Sequence, residues 1–263
     1  MRVLVTGGAS GLGAALVDRF AERGARVVSA DLSGRAGARA PEGPDNSVVE
    51  RALDVTSDAD WDAARAWVEQ EWGGLDVLVN NAGIAGGGRL ELCSIDEWQR
   101  IIDVNLLGVV RGTQTFVPMM KRQGSGRVVN TASLAGLVHP PGMGSYNAVK
   151  AAVVAFSETM SHELAPYGVG CTAVCPSYFR TNLMSSLSGA DTDLAEQITR
   201  LVEKSPISAD DIAVAVLDGL DRGLDVVLPD EPARAAYALK LGDRAAYDAQ
   251  MRATAARAKE RSS

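Results

Sequence analysis

Short apolar runs alternate with segments of helical periodicity along most of the 263-residue chain. The first run stops at a glycine-rich turn, and the segment after it places Leu12, Leu16 and Phe20 at the spacing of one helix face. Strands that alternate with helices pair in parallel through right-handed crossovers, which place helices on both faces of one sheet. The pattern therefore predicts an α/β fold with a doubly wound parallel sheet of about seven strands. The predicted strands are residues 2–6, 26–30, 47–53, 75–79, 127–131, 169–174 and 225–228.

Capping residues and prolines refine the predicted helices and loops. Ser57 stands where a helix cap is expected, and Gly73 would end the helix that follows. A long helix is expected at residues 96–122, interrupted or kinked near Pro118, because proline lacks the backbone donor of a helix interior. The Gly- and Pro-rich segment 33–46 is expected to be a mobile surface loop.

The chain is expected to form a single domain followed by a helical extension. Residues 1–229 would hold the sheet and its site, whereas residues 230–263 are Ala-rich and helical in pattern. Residues 233–263 contain seven Lys or Arg and three Asp or Glu, so this segment carries +4 on a chain of net charge −7. Tyr247 and Met251 begin an apolar stripe on it. The extension could cover its own domain or a neighbouring subunit, or it could touch an anionic membrane surface.

Composition excludes several classes of function. A net charge of −7 argues against a nucleic-acid-binding surface, which is normally strongly basic. No apolar run approaches the roughly 18 residues that span a bilayer, and the first strand begins at once without a leader segment, so a cytoplasmic protein with no integral membrane segment is expected. The three cysteines and two histidines do not have metal-ligand spacing, and no metal site is predicted.

The turn after the first strand has the composition of a phosphate-binding loop. Gly7, Gly11 and Gly13, with Ser10 and Leu12 between them, follow a strand and open a helix. Glycines let the backbone approach a pyrophosphate, and the N-terminus of the helix contributes N–H groups and a favourable dipole. The turn is expected to bind a dinucleotide; a purely structural turn is the alternative.

Asp31 ends the second strand, 18 residues after Gly13, where a carboxylate would meet the adenosine ribose hydroxyls. Its negative charge would repel a 2′-phosphate, and neither Ala9 nor Ser10 supplies a basic side chain. NAD is therefore expected to be preferred over NADP, although Arg35 could soften the preference. Asp31 could instead cap a turn.

Tyr146 and Lys150 are four residues apart in a segment, residues 145–167, whose apolar spacing predicts a helix. They would share one face, and a nearby ammonium would lower the pKa of the phenol from its usual value near 10. Ser133 could hold a substrate oxygen. Taken alone, the pair could also be a chance occurrence on a helix.

Together these motifs resemble the short-chain dehydrogenase/reductase family, whose fold is of Rossmann type, and the resemblance covers nearly the whole chain up to about residue 229. By this resemblance residues 6–13 form the cofactor turn. Asp54 and Val55 would lie beside the adenine. The Asn-Asn-Ala-Gly run after the fourth strand would support the sheet and border the cofactor. Its last three residues are Asn81, Ala82 and Gly83.

Asn105, Ser133, Tyr146 and Lys150 match the catalytic tetrad of the family, including the thirteen-residue step from serine to tyrosine. The resemblance implies that Tyr146 is the general acid/base and that Ser133 polarises the substrate oxygen. Lys150 would lower the pKa of Tyr146 and bind the nicotinamide ribose. Asn105 would hold a water that links Lys150 to solvent, or it could only satisfy a kink in a buried helix.

The segment after the sixth strand resembles the nicotinamide loop of the family. Pro176, Phe179 and Thr181 are expected at the cofactor, with Thr181 at the carboxamide. Ser177 replaces the usual glycine, which could narrow the pocket or demand a different backbone angle. His139 lies between the catalytic serine and tyrosine, where it could face the substrate or only pack against its neighbours.

Residues 183–205 resemble the variable lid of the family, and their apolar side chains could equally be core. The predicted substrate residues suggest a mainly apolar pocket and a hydrophobic secondary alcohol or ketone. They are Ser133, His139, Met143, Tyr146, Tyr178 and Met184. The resemblance also implies a homodimer or homotetramer built on the long helices. An NAD-dependent oxidoreductase is thus expected, and the alternatives are an NADPH-dependent carbonyl reductase and a non-catalytic NAD-binding sensor or scaffold.

Overall fold

The structure, a computed structural model, describes residues 1–32, 48–186 and 189–261. In this part of the chain one sheet has seven strands in the order β3-β2-β1-β4-β5-β6-β7, and every neighbouring pair is parallel. The predicted doubly wound fold is confirmed. The strands are β1 (Arg2–Thr6), β2 (Arg26–Asp31), β3 (Val48–Ala52), β4 (Val77–Asn80), β5 (Gly126–Thr131), β6 (Val169–Val174) and β7 (Val226–Val227).

Helices connect the strands and continue beyond the last one. They are α1 (Gly11–Glu22), α2 (Asp58–Trp72), α3 (Ile95–Ile102), α4 (Gly108–Gln123), α5 (Ala135–Val138), α6 (Gly144–Leu164), α7 (Thr192–Glu203), α8 (Ala209–Asp221), α9 (Glu231–Gly242) and α10 (Arg244–Arg261). A π-helical segment, Asp103–Leu107, separates α3 from α4. The cap of α2 is as expected: the Ser57 hydroxyl accepts the N–H of Asp60, and Gly73 ends the helix in the left-handed conformation.

Both faces of the sheet are covered, as a parallel sheet requires. Val3 and Val5 of β1 pack with α1 and α8, whereas Leu4 between them packs on the opposite face with α2 and α4. Trp61 and Phe116 fill that second layer and are almost fully buried. With both faces covered, the carboxyl edge of the sheet is left for ligands.

The predicted helix at residues 96–122 was wrong in the place of its interruption. Pro118 lies inside the regular helix α4, and the break occurs at Asp103–Leu107, where the chain is π-helical. Single π-turns inside helices are frequent at functional sites. The side chain of Asn105, which lies in this segment, bonds to the backbone of a different loop, and this tertiary contact accompanies the irregular turn.

Two sequence-based expectations fall on residues outside the described ranges. One is the mobile loop at residues 33–46, which includes Arg35, and the other is Leu187 of the expected lid. The third strand begins at Val48, the first residue described after that loop.

The C-terminal extension packs against its own chain. Tyr247 of α10 is 5% exposed and belongs to a cluster with Leu137 and Val138 of α5, and Met251 packs against the same cluster. The packed part of the stripe ends after Met251, because Ala255, one turn further along α10, is exposed. Over the described ranges, no helix is long and apolar enough to cross a membrane.

Candidate active site

A cavity of about 880 Å³ lies at the carboxyl edge of the sheet. It extends from Asp31 at the end of β2 to Tyr146 on α6, across the point where β1 and β4 are neighbours and the strand order reverses. Ligands of doubly wound sheets bind at such a switch point. The predicted residues that line the cavity are Gly7, Ser10, Gly11, Leu12, Asp31, Asp54, Val55, Asn81, Ala82, Gly83, Ser133, Met143, Tyr146, Lys150, Pro176, Tyr178, Phe179, Thr181 and Met184.

The glycine turn needs its glycines for two different reasons. Gly7 and Gly11 have φ values of +65° and +53°, a region that residues with a Cβ rarely adopt. Gly13 does not line the cavity, but a Cβ there would lie 2.0 Å from the carbonyl oxygen of Gly7. Close packing between the turn and α1 therefore requires Gly13. The N-terminus of α1 is left facing the cavity at Ser10 and Gly11.

Asp31 borders the cavity and also holds the glycine turn. One carboxylate oxygen accepts the backbone N–H of Ala9 at 3.2 Å, and the other accepts the N–H of Leu32 at 2.8 Å. The carboxylate therefore has the turn-capping contact considered above as an alternative, and it remains at the cavity wall. Asp54 is likewise fixed, since its Oδ1 accepts both the backbone N–H and the hydroxyl of Thr56.

Asn81 ties the ends of three strands together. Its Nδ2 donates to the carbonyl of Thr6 at 3.0 Å, and its Oδ1 accepts the hydroxyl of Thr131 at 3.2 Å. The Thr6 hydroxyl in turn accepts the backbone N–H groups of Asn81 and Ala82. These contacts brace the edge of the sheet from which the glycine turn begins.

Tyr146 and Lys150 lie one turn apart near the start of α6, and both are buried. The Lys150 ammonium donates to the carbonyl of Thr131 at 2.7 Å and lies 5.7 Å from the centre of the Tyr146 ring. Ser133 accepts the N–H of Ala135 at 3.1 Å through its hydroxyl oxygen. Ser133 and Tyr146 both line the end of the cavity that lies at α6.

Burial sets the proton affinity of both groups on α6. It raises the pKa of Tyr146 to about 12, although the nearby hydroxyl of Ser133 acts in the opposite direction. Burial also lowers the pKa of Lys150 to about 8. The expectation that Lys150 brings the pKa of Tyr146 below its usual value is therefore wrong for this structure. The ammonium is bonded to a backbone carbonyl, and desolvation dominates at the phenol.

Asn105 does not line the cavity. It is 1% exposed, its Oδ1 accepts the N–H of Ile84 at 2.8 Å, and its Nδ2 donates to the carbonyl of Ile84 at 2.9 Å. Both ends of the amide are therefore bonded to the loop after β4, a partner that neither alternative named. The role of Asn105 in a proton path stays a prediction, and its side chain fixes the π-helical segment against that loop.

His139 is not placed as a substrate residue, which corrects the sequence-based expectation. It does not line the cavity, and it is the only non-glycine residue with a left-handed backbone (φ 51°) in the described parts of the chain. Its Nε2 is 3.1 Å from the carbonyl of Gly136, and its Nδ1 is 3.1 Å from Nζ of Lys240 on α9. The ring therefore turns toward the C-terminal extension.

Ser177 keeps an ordinary backbone angle, so the departure from glycine does not strain the chain. It lines the cavity, and its backbone N–H donates to Oδ2 of Asp230 at 2.9 Å. Sequence reasoning missed both Asp230 and Lys240 as residues that hold the site. Asp230 stands two residues before Pro232, and this order signals a helix cap. It gives no sign that the same carboxylate also binds the backbone N–H of Ser177.

The substrate end of the cavity is mainly apolar. Ile198 and Val202 of α7 pack with Met143 and Tyr146, and Met184 packs against the same cluster. The Tyr178 hydroxyl faces the sulfur of Met143 at 3.6 Å. Within the described residues, His, Cys, Asp and Glu side chains form no group that could hold a metal ion.

The chain is similar in sequence and in structure to several known proteins. The family model for short chain dehydrogenase matches residues 1–191. The 2-(R)-hydroxypropyl-CoM dehydrogenase of Xanthobacter autotrophicus is 34% identical over 222 residues, which cover 81% of this chain and 88% of that protein. The 3-alpha-(or 20-beta)-hydroxysteroid dehydrogenase of Mycobacterium tuberculosis is 38% identical over 68% of each chain. A short-chain dehydrogenase/reductase from Burkholderia phymatum, solved in complex with NAD, superimposes with a TM-score of 0.85 at 30% identity and covers 92% of this chain and 93% of its own.

Proposed function

Because the chain belongs to the short-chain dehydrogenase family of NAD(P)-binding oxidoreductases, we propose that it interconverts a hydrophobic secondary alcohol and its ketone with NAD(H). One observation carries the proposal. Ser133 and Tyr146 line one end of a cavity whose other end is bordered by Asp31 and opens onto the glycine turn.

The residues at the cavity fit a dinucleotide. The glycine turn offers a side-chain-free surface at the N-terminus of α1, where a pyrophosphate would be held by backbone N–H groups. Asp31 would accept the ribose hydroxyls, Val55 would pack on the adenine, and Thr181 and Lys150 would hold the nicotinamide end. Bound NAD(H) supplies the hydride acceptor or donor. Asp31 supports NAD over NADP, because its carboxylate would face a 2′-phosphate.

The chain's own part in the reaction is to orient one oxygen and move one proton. Ser133 would donate a hydrogen bond to the substrate oxygen, and Tyr146 would exchange a proton with it at the phenol Oη. With a pKa of about 12 the phenol is protonated at neutral pH, which suits donation to a ketone oxygen. The reverse direction needs a phenolate that accepts the proton of the alcohol.

The apolar lining supports a hydrophobic substrate. Met143, Ile198 and Val202 surround the reacting end, and Tyr146 itself is buried among them. A substrate whose carbonyl is flanked by hydrocarbon would bury apolar area there, whereas a phosphate would be left without a cluster of basic groups.

Assembly and location complete the proposal. A homodimer or homotetramer would use the long helices α4 and α6, and a cytoplasmic protein fits the composition. Both rest on the family resemblance and are tested by sedimentation of the purified chain and by fractionation of cells.

The test is a spectroscopic assay with both cofactors. Hydrophobic secondary alcohols such as 1-phenylethanol, and the matching ketones, are followed at the absorbance band of the reduced nicotinamide with NAD(H) and with NADP(H). Turnover with a higher kcat/KM for NAD(H) than for NADP(H) supports the proposal. Turnover that requires NADP(H) would instead indicate an NADPH-dependent reductase, and binding of NAD without turnover of any substrate would indicate a sensor.

A further inference from the structure

Helix α9 is attached at its N-terminal end to the loop that follows β6. Asp230 caps the helix through Oδ1, which accepts the N–H of Ala233 at 2.8 Å, and its Oδ2 accepts the N–H of Ser177 at 2.9 Å. Asp230 is 6% exposed. A buried carboxylate with two backbone donors is strongly held, because any change that unpairs it leaves polar groups unsatisfied.

The other end of α9 is attached to the loop between Ser133 and Tyr146. The Lys240 ammonium donates to the carbonyl of Leu137 and lies 3.1 Å from Nδ1 of His139. An ammonium group only donates, so Nδ1 must accept, and the proton of a neutral imidazole must then sit on Nε2. That nitrogen lies 3.1 Å from the carbonyl of Gly136, which accepts the hydrogen bond from its N–H. The three groups form one directed chain of hydrogen bonds.

Neighbouring side chains hold Lys240 in this position. The ring of Tyr247 on α10 is packed in the cluster that contains Leu137, and its centre lies 6.0 Å from Nζ of Lys240. Burial and the nearby cation Arg244 lower the pKa of Lys240. The lysine is therefore anchored between α5 and α10.

These two attachments fall on two loops that both line the reacting end. Val138 and Pro140 flank His139 on the first loop and line the cavity, and so does Ser177 on the second. These loops are the two walls of the reacting end, and they also contact each other, because the N–H of Leu134 donates to the carbonyl of Pro176 at 2.9 Å. A single helix thus contacts both walls.

We propose that α9 sets the position of both walls, so that Asp230 and Lys240 are positioning residues for the substrate and nicotinamide ends of the site. The expected effect on KM rests on the proposed function. The expected effect on the positions of the two walls rests only on the contacts described above. Neither Asp230 nor Lys240 lines the cavity. Asp230 acts through Ser177, which lines it, and Lys240 acts through Leu137 and His139, whose neighbours Val138 and Pro140 line it.

Kinetics with Lys240→Met give the first test. The variant keeps the length of the side chain but removes the donor, so the wall at residues 137–140 loses its attachment. We expect KM for the best ketone to rise at least fivefold while kcat changes less than twofold, and Lys240→Arg to restore most of the loss. Arg252→Met, which removes an exposed cation from the same extension, is the matched control and should leave both constants unchanged.

Two readouts do not depend on turnover. The chain has two histidines, so NMR of the imidazole nitrogens gives one pair of signals for each ring, and exposed His162 serves as the internal reference. Burial and the cations Lys240 and Arg244 lower the pKa of His139. Lys240→Met should raise the pKa of His139, leave the NMR signals of His162 in place, and accelerate hydrogen exchange in residues 134–143 at least tenfold. Asp230→Asn, which can still cap α9 through its carbonyl oxygen, should accelerate exchange of the Ser177 amide.

Unchanged exchange in residues 134–143 together with an unchanged KM would overturn the inference. An equal loss of exchange protection over the whole chain would also overturn it, because that result indicates a general stability role. If the wild-type chain turns over no substrate, the proposed function fails, and the exchange and NMR measurements still decide whether α9 holds the two walls.

Discussion

Arg89 and Asp191 form a two-pronged ion pair between the loop after β4 and the start of α7. Nε and Nη2 of Arg89 donate to separate carboxylate oxygens of Asp191 at 2.8 Å each, and the Arg89 backbone N–H adds a third bond of 2.8 Å. The side chain of Asp191 is 2% exposed and also caps α7 by accepting the N–H of Leu194. The helix that covers Tyr146 is therefore anchored by one carboxylate.

Asp191→Ala should loosen α7 over the reacting end. The variant loses the cap and the paired charge, and we expect the free energy of unfolding to fall by about 2 kcal/mol, a value reduced because Arg89 is partly exposed. KM for the ketone should rise while the Kd for NADH stays within a factor of about two. Urea unfolding and cofactor titration measure the two effects. Asp193→Ala is the control, because Asp193 is exposed and its contact with Arg89 is long, at 3.8 Å.

Tyr146→Phe should abolish the proton transfer but not the binding of NADH. Because general acid catalysis contributes about 10²–10⁴ in rate, we expect kcat to fall about a thousandfold. Titration of the variant with NADH, followed by nucleotide fluorescence, should give an unchanged Kd. Tyr167→Phe, at an exposed tyrosine, should behave as the wild type. Retained turnover in Tyr146→Phe would contradict the assignment of the phenol as the acid.

Asp31→Ala should shift cofactor preference toward NADP. A carboxylate and a phosphate about 4 Å apart repel by about 1–4 kcal/mol, so the ratio of kcat/KM for NADP over NAD should rise about tenfold or more. Some affinity for both cofactors should also be lost, because Asp31 holds the N–H of Ala9. Asp31→Asn separates the two effects, since an amide oxygen can still accept that bond. An unchanged ratio in both variants would disprove the charge argument.

Acid stability should depend on Asp76 at the start of β4. Hydrogen bonding to Arg2, which donates from Nη2 at 2.5 Å and from its backbone N–H at 2.7 Å, lowers the pKa of Asp76 from its ordinary 3.8. A lowered native pKa stabilises the fold above the unfolded value, and this stabilisation is lost as pH falls through the native one.

Asp76→Asn should therefore cost about 1 kcal/mol near neutral pH, a modest figure because both partners are partly exposed. The difference from the wild type should shrink below about pH 4, where the wild-type carboxyl also becomes protonated. Urea unfolding at both pH values measures this, and kcat should not change, since Asp76 lies at the edge of the sheet opposite the cavity. If the difference in unfolding free energy between Asp76→Asn and the wild type grew on acidification, the lowered native pKa of Asp76 would be contradicted.

The sequence was sufficient for the sheet and for the cavity because both depend on local patterns. Apolar runs such as 169–174 match β6 at both ends, and the glycine turn, Asp31 and Tyr146 all border one cavity. Each of these residues stands at a strand end or at helical spacing from its partner. Such positions can be read from neighbours in the chain.

Long-range contacts account for what the sequence did not predict. The irregular turn at Asn105 involves Ile84, which is 21 residues earlier, and no local signal indicates it. His139 was expected near the substrate because of its place in the loop, but its partner Lys240 is 101 residues later. The predicted lowering of the Tyr146 pKa was wrong for a related reason. Spacing predicts a nearby ammonium, whereas the degree of burial depends on α7 and on the rest of the fold.

The position of α9 in the chain also orders the events of synthesis. Domains generally fold as units, and Glu231–Gly242 follows every strand of the sheet. The bonds from Asp230 and Lys240 to the two walls can form only after this helix has been synthesised. A nascent chain that ends before α9 would therefore lack both attachments, and chemistry would begin only once translation has passed α9.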